Sequence, residues 1–314
     1  MTLTELKYIV AVARERHFGR AAEACFVSQP TLSVAIRKLE DELGVQLFER
    51  GPAEVSVTPV GAQIVEQAQR VLEQSNEIRT IAKQGKDPLS GPLRLGVIYT
   101  IGPYLLPKLV PEMIATTPQM PLLLQENYTA KLLEELRHGD IDVAILADPF
   151  PTGGLMTQAL YDEPFLVAVP RHHPWADRTA IGSDELKDET MLLLGSGHCF
   201  RDNVLEVCPE LSRFSQNTVG IQKTFEGSSL ETIRHMVASG IGITVVPQLA
   251  RQDGIDESLL TYVPFADPVP HRRVLLAWRK SFSRSAAIRA LRQAIDRIDL
   301  PGVTRPNETA TPAH

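Results

Sequence analysis

Cys199 and Cys208 are two of the chain's three cysteines and stand nine positions apart, in the stretch Gly197-His198-Cys199-Phe200-Arg201-Asp202-Asn203-Val204-Leu205-Glu206-Val207-Cys208-Pro209. The residues between them favour a short helix that Pro209 closes. A fully formed helix would hold the two Cα atoms roughly 13 Å apart. A disulfide needs about 4.4–6.8 Å. The pair therefore bonds only when the segment rewinds, or it never bonds. If it never bonds, the cysteines are small hydrophobic side chains. If it does, they form a redox switch, and the setting suits one. Cys199 follows Gly195-Ser196-Gly197-His198 and opens the predicted helix. The helix N-terminus, His198 and Arg201 would all favour its thiolate, the nucleophilic form. A second thiol nearby can then condense with the sulfenic acid that oxidation produces.

Two hydroxyls join this candidate site. Thr100 and Thr129 each fall just beyond a predicted strand, where open α/β sheets bind their ligands. Near a thiolate they suit a small polar ligand such as a peroxide. The alternative is that each threonine caps the helix after it. Cys25, among Ala21, Ala22 and Ala24, reads as packing.

The elements that position these residues follow from pattern and composition. The chain has 314 residues, 43% of them apolar and 22% charged, as expected of a globular protein of two or more domains. No apolar run approaches a transmembrane span, and Met1 leads into an amphipathic helix rather than a signal peptide. With so few cysteines, this predicts a cytoplasmic protein without a disulfide framework or a membrane partner. The net charge of −6 excludes DNA binding by bulk charge, so any such contact must come from a local patch.

Residues 1–57 alternate short amphipathic helices with tight connections. A helix starts near Thr4, a second spans Arg20 to Ala24, and a third runs from Gln29-Pro30 to about Leu43, stopped by Gly44. Val45 to Arg50 and Val55 to Thr58, around Gly51-Pro52, read as a two-stranded wing. The pattern predicts a winged helix-turn-helix, whose third helix enters the major groove. Its outward set is Ser28, Gln29, Pro30, Thr31, Ser33, Val34 and Arg37, opposite Leu32, Ile36, Leu39 and Leu43. Gln and Arg suit bidentate contacts to bases, Ser and Thr suit bases or phosphates, and Arg50 on the wing could hold a phosphate. The competing view is a small helical bundle with a polar face.

Residues 58–85 predict one long helix. Ile64, Ala68, Val71, Ser75, Ile78 and Ala82 repeat four and three apart, the seam of a coiled coil, so a second copy of the chain is the expected partner. Residues 86–91 form a hinge rich in turn formers. Residues 92–300 alternate strands and helices and predict an α/β domain of parallel sheets in two lobes. Lobe I covers about 92–162 and 267–300, and lobe II about 163–266. The tail, 301–314, reads as disordered.

Residues 2–65 resemble the winged helix of the LysR-type transcriptional regulators. The resemblance rests on Phe18-Gly19-Arg20-Ala21-Ala22-Glu23, Val27 to Ser33, Leu39 to Gly44 and Leu47-Phe48-Glu49-Arg50. The long helix and the two-lobed remainder are similar to the same family, whose sensing domain resembles periplasmic binding proteins. Gly197 to Asp202 with Cys208 is similar to the family's hydrogen-peroxide sensors. The resemblance implies that Cys199 is the peroxidatic thiol and Cys208 the resolving one. It implies that Thr100 and Thr129 hold the peroxide, with His198 and Arg272 helping to activate it. It also implies a palindromic DNA operator, RNA polymerase as partner, a homodimer or homotetramer, a cellular thiol reductant, no cofactor and no enzymatic turnover. Residues 210–223 match no part of the pattern.

Three alternatives stand beside this. One is a LysR-type regulator that binds a metabolite between its lobes, with structural cysteines. Another is a thiol peroxidase, although no Cys-x-x-Cys motif is present. The weakest is a zinc site at His198, Cys199 and Cys208, which lacks an obvious fourth ligand at useful spacing.

Overall fold

A computed structural model describes residues 1–50, 55–84, 89–207, 209, 224–227, 229–251 and 259–306, without the side chains of residues 50, 77 and 79–84. Cys208, the Gly51-Pro52 turn and residues 210–223 lie outside the described residues. The chain forms two compact units that divide near residue 87.

In the first unit, α1 (Leu3–Glu15) starts with a reciprocal cap. Glu5 N–H donates to Thr2 Oγ1 at 3.2 Å, and Thr2 N–H donates to Glu5 Oε2 at 2.7 Å. Helix α2 (Phe18–Ala24) is capped by His17, whose Nδ1 accepts from the backbone of Gly19 and Arg20. Helix α3 (Gln29–Leu43) carries Pro30 in its first turn and ends at Gly44, with φ +70°, in the left-handed conformation that favours glycine. Strands β1 (Phe48–Arg50) and β2 (Val55–Val57) pair antiparallel as the wing. The wing strand expected from Val45 begins only at Phe48. Glu40 Oε1 ties down the Leu47 and Phe48 N–H groups just before it.

Ile9, Val12, Leu32, Ile36, Leu39 and Leu47 form the core of this unit. Leu43, expected with them, is exposed, since it sits in the last turn beside the Gly44 stop. Helix α4 (Pro59–Gln84) divides its apolar seam. Ala68 is buried, and Ile64, Val65 and Leu72 pack on the unit's own core. Val71 and, at 70% exposure, Ile78 face outward.

In the second unit, β3 (Leu93–Ile98) leads through α5 (Gly102–Thr116) to β4 (Leu122–Asn127), then through α6 (Thr129–His138) to β5 (Val143–Ala147). Strand β3 is parallel to both β4 and β5. Gly96 on β3 lets α6 approach closely, because a Cβ there would lie 2.7 Å from a Leu132 methyl. Strand β6 (Leu155–Pro170) follows, then β7 (Met191–Leu194), α7 (Cys199–Val207), β8 (Thr224–Gly227), α8 (Leu230–Ala238), β9 (Thr244–Pro247) and β10 (Leu260–Pro264). Strand β11 (His271–Arg279) and α9 (Ser285–Arg297) return to the first lobe.

The main sheet has the order β10-β6-β11-β5-β3-β4, with β9 also paired to β6. Strands β7 and β8 form a parallel pair of their own. The expectation of parallel sheets is therefore corrected: β6, β9, β10 and β11 pair antiparallel. The strand expected at Phe165 to Val169 actually starts at Leu155. Its first part pairs with β11, and its last part pairs with β9 and β10, so β6 runs through both lobes. The tail is also corrected in part. Thr304 exchanges backbone hydrogen bonds with Asp162 at 2.7 and 2.9 Å, which holds residues 301–306 in place. Residues 307–314 lie outside the described residues.

Candidate functional site

The thiol segment is set by the turn between β7 and α7. Gly197 there has φ +96°, a conformation that glycine adopts without strain, and lies beside the Tyr128 ring. Helix α7 starts at Cys199, which is half-buried and carries a free thiol. Arg201 turns back, and its Nη1 donates to the Leu194 carbonyl at 2.8 Å. Phe200 is buried, meets Phe165 edge to face at 5.1 Å, and lies 5.2 Å from the Arg272 guanidinium.

Arg272 is 2% exposed, and strand pairing explains its place. In the β6–β11 register Arg272 stands opposite Glu163 and Arg273 opposite Asp162. Successive side chains point to opposite faces, so the first pair turns inward and the second outward. Arg272 Nε donates to Glu163 Oε2 at 2.9 Å, and Glu163 Oε1 accepts the Leu249 N–H at 2.9 Å. Arg272 Nη1 donates to Thr100 Oγ1 at 2.8 Å and Nη2 to the Thr100 carbonyl at 2.9 Å. Thr100 Oγ1, once it accepts from Arg272, still has its proton to donate.

Thr129 is the first residue of α6, and its buried Oγ1 has no hydrogen-bond partner among the described residues. Tyr128, not Thr129, holds the cap position of α6, and Ile101, not Thr100, that of α5. Neither threonine hydroxyl therefore caps its helix. His198 is buried, with its ring 4.7 Å from Tyr128 and 6.0 Å from Tyr99. A cavity of about 450 Å³ opens onto Thr100, Tyr128 and His198. The structure thus joins Thr100 to Arg272, Arg272 to the thiol helix through Phe200, and His198 to the α6 start through Tyr128. The residues that sequence reasoning missed are Glu163, Phe200 and Tyr128. Two adjacent acids, Asp162-Glu163, facing two adjacent arginines, Arg272-Arg273, were the available signal.

The helix-turn-helix face is built in the first unit. Ser28, Gln29, Pro30, Thr31, Val34 and Arg37 are exposed and Ser33 half-buried, while Leu32, Ile36 and Leu39 are buried beneath them. Ser28 Oγ accepts from the Thr31 N–H and shares a 2.7 Å hydrogen bond with Thr31 Oγ1, so this pair also caps α3. Val34, 68% exposed among polar neighbours, suits a thymine methyl in the groove. Arg50 ends β1, and its side chain lies outside the described residues.

Residues 3–62 match the bacterial regulatory helix-turn-helix proteins of the lysR family, and residues 86–298 match the LysR substrate binding domain. The chain belongs to the LysR-type transcriptional regulators. Its winged helix is accordingly a DNA-binding domain, and its two-lobed unit is the family's regulatory domain. Among LysR-type relatives, the DNA-binding transcriptional dual regulator OxyR of Escherichia coli K12 is 40% identical over 300 residues, 94% of this chain and 95% of that protein. A full-length OxyR from Pseudomonas aeruginosa, solved with a cysteine-to-aspartate substitution, is 52% identical with a TM-score of 0.74 and covers 95% of this chain and 99% of its own. A cysteine-to-serine variant of OxyR from Corynebacterium glutamicum, solved with bound H2O2, is 34% identical with a TM-score of 0.60 and covers 94% of this chain and 92% of its own.

Proposed function

We propose that this LysR-type regulator senses hydrogen peroxide at Cys199 and answers through its DNA-binding domain. The observation that carries the reading is the Glu163–Arg272–Thr100 chain, which places a buried cation against the helix that Cys199 opens. Relatives that are OxyR proteins at 40–52% identity support it. Thr100 donates to one peroxide oxygen, and the unsatisfied Thr129 hydroxyl and His198 hold the molecule against the thiol. The Cys199 thiolate attacks the near oxygen, the O–O bond breaks, and the far oxygen leaves as hydroxide that takes a proton to become water. Cys199 is then a sulfenic acid. The Cys208 thiolate attacks that sulfur, expels hydroxide and forms the disulfide. A cellular thiol reductant restores both thiols by exchange.

Bonding to Cys208 pulls Cys199 away from Phe200's packing and rewinds α7, so the switch acts on the fold of lobe II. Ser28, Gln29, Pro30, Thr31, Ser33, Val34, Arg37 and Arg50 contact a palindromic duplex. Two copies pair through the outward half of α4 and assemble further into a tetramer, and the oxidised form changes how RNA polymerase is recruited. The protein works in the cytoplasm as a regulator, with peroxide as signal rather than as substrate of a turnover enzyme.

The test starts from a duplex selected out of a random DNA pool by the reduced protein. Its footprint is compared before and after one equivalent of peroxide. The footprint should change for the wild type and for Cys25→Ser, and stay fixed for Cys199→Ser. A wild-type footprint that stays fixed although Cys199 is oxidised would overturn the reading.

A further inference from the structure

The cavity beside His198 lies at the C-terminal ends of β3 and β4, and its walls are aromatic and acidic: Tyr99, Tyr104, Tyr128, His198, Glu126 and Glu231. The two carboxylates differ. Glu231 is neutralised, since it accepts from the Tyr104 O–H and from Arg234 at 2.8 and 2.9 Å. Glu126 meets no cation and no hydrogen-bond donor among the described residues, and burial alone pushes its carboxyl above the usual range. Its Oε1 crowds Gly102 so closely that a Cβ there would sit 1.8 Å away, which places the carboxylate at the N-terminal end of α5.

That end of a helix is where an anionic ligand would dock, and here the protein's own Glu126 fills it. What remains for a guest is a negative charge without a counter-ion and open ring surface. Tyr99 and Tyr128 meet edge to face at 5.3 Å and remain 39% and 37% exposed. Aromatic faces attract cations, the more so when water is displaced.

We propose that this cavity binds a small organic cation, an ammonium group that pairs with Glu126 and lies on Tyr99 and Tyr128. It gives the regulator a second input, and binding there requires no peroxide chemistry. An anion of the same shape is excluded by Glu126.

The test is a ligand-observed NMR titration of the reduced full-length protein with 2-phenylethylammonium, and with 3-phenylpropionate as its anionic counterpart. The ammonium should bind saturably and the carboxylate should not. Glu126→Gln should raise the dissociation constant about tenfold or more, the loss of a charge-assisted pair. Tyr99→Leu, which keeps the charge, should weaken binding in the same direction and serves if the first variant does not fold. Glu66→Gln, which removes an equal charge from α4, should leave binding unchanged. The proposal is overturned if the ammonium does not saturate, if the anion binds equally well, if Glu126→Gln binds as the wild type does, or if Glu66→Gln weakens binding as much as Glu126→Gln.

Discussion

Thr100 and Thr129 occupy matching places beyond two parallel strands but differ in what their hydroxyls do, and substitution separates structure from chemistry there. Thr100→Val removes a hydrogen bond to a buried guanidinium, which costs about 1.5–3 kcal/mol in urea unfolding. Thr129→Val removes a hydroxyl that has no partner among the described residues, so stability should stay within about 0.5 kcal/mol. Both should slow Cys199 oxidation, each on the order of tenfold for one lost transition-state hydrogen bond. Stopped-flow oxidation with unfolding curves checks this. If Thr129→Val were destabilised as much as Thr100→Val, the hydroxyl would be structural. The threonines were legible in the sequence because strand ends mark ligand positions. Arg272 was not legible without the family resemblance, because its partner Glu163 lies 109 residues away and is brought opposite only by strand register.

At the scale of the element, β6 and β11 carry two ion pairs of opposite exposure. The buried one is worth most when one partner is removed. Glu163→Gln leaves Arg272 uncompensated and should cost about 3–5 kcal/mol, whereas Glu163→Leu with Arg272→Met should cost much less. Equal losses in the single and double variants would contradict the geometry. The outer pair gives a pH signature. A hydrogen bond from Arg273 is the main cause that holds the Asp162 carboxyl below its ordinary value of 3.8. Its small stabilisation is therefore complete above that value and fades as pH falls through the lowered pKa. In Arg273→Gln that part of the acid dependence should disappear from unfolding curves measured between about pH 5 and pH 2. The strand at Phe165 to Val169 was readable as an apolar run. Its first half was not, since Leu155 to Asp162 mixes buried and exposed positions and pairs with a strand far along the chain.

At the scale of the whole molecule, α4 is half committed to its own unit and half open. Its 3.5-residue seam was readable, but which residues the unit would keep for itself was not. Ala68 and Leu72 pack inward because α1 lies against them, which a repeat cannot show. Ile78→Asp should leave the winged helix folded and shift sedimentation from dimer toward monomer, with weaker binding to a palindromic duplex. A dimer unchanged by Ile78→Asp would place the interface elsewhere.

The claim at the centre of all three scales is that peroxide joins Cys199 to Cys208. Peptide mapping by mass spectrometry, after brief exposure of the reduced protein to about one equivalent of peroxide, tests it most directly, since the step consumes one peroxide per disulfide formed. The account predicts a linked Cys199–Cys208 peptide with Cys25 still free. Two unmodified thiols at Cys199 and Cys208 would contradict it.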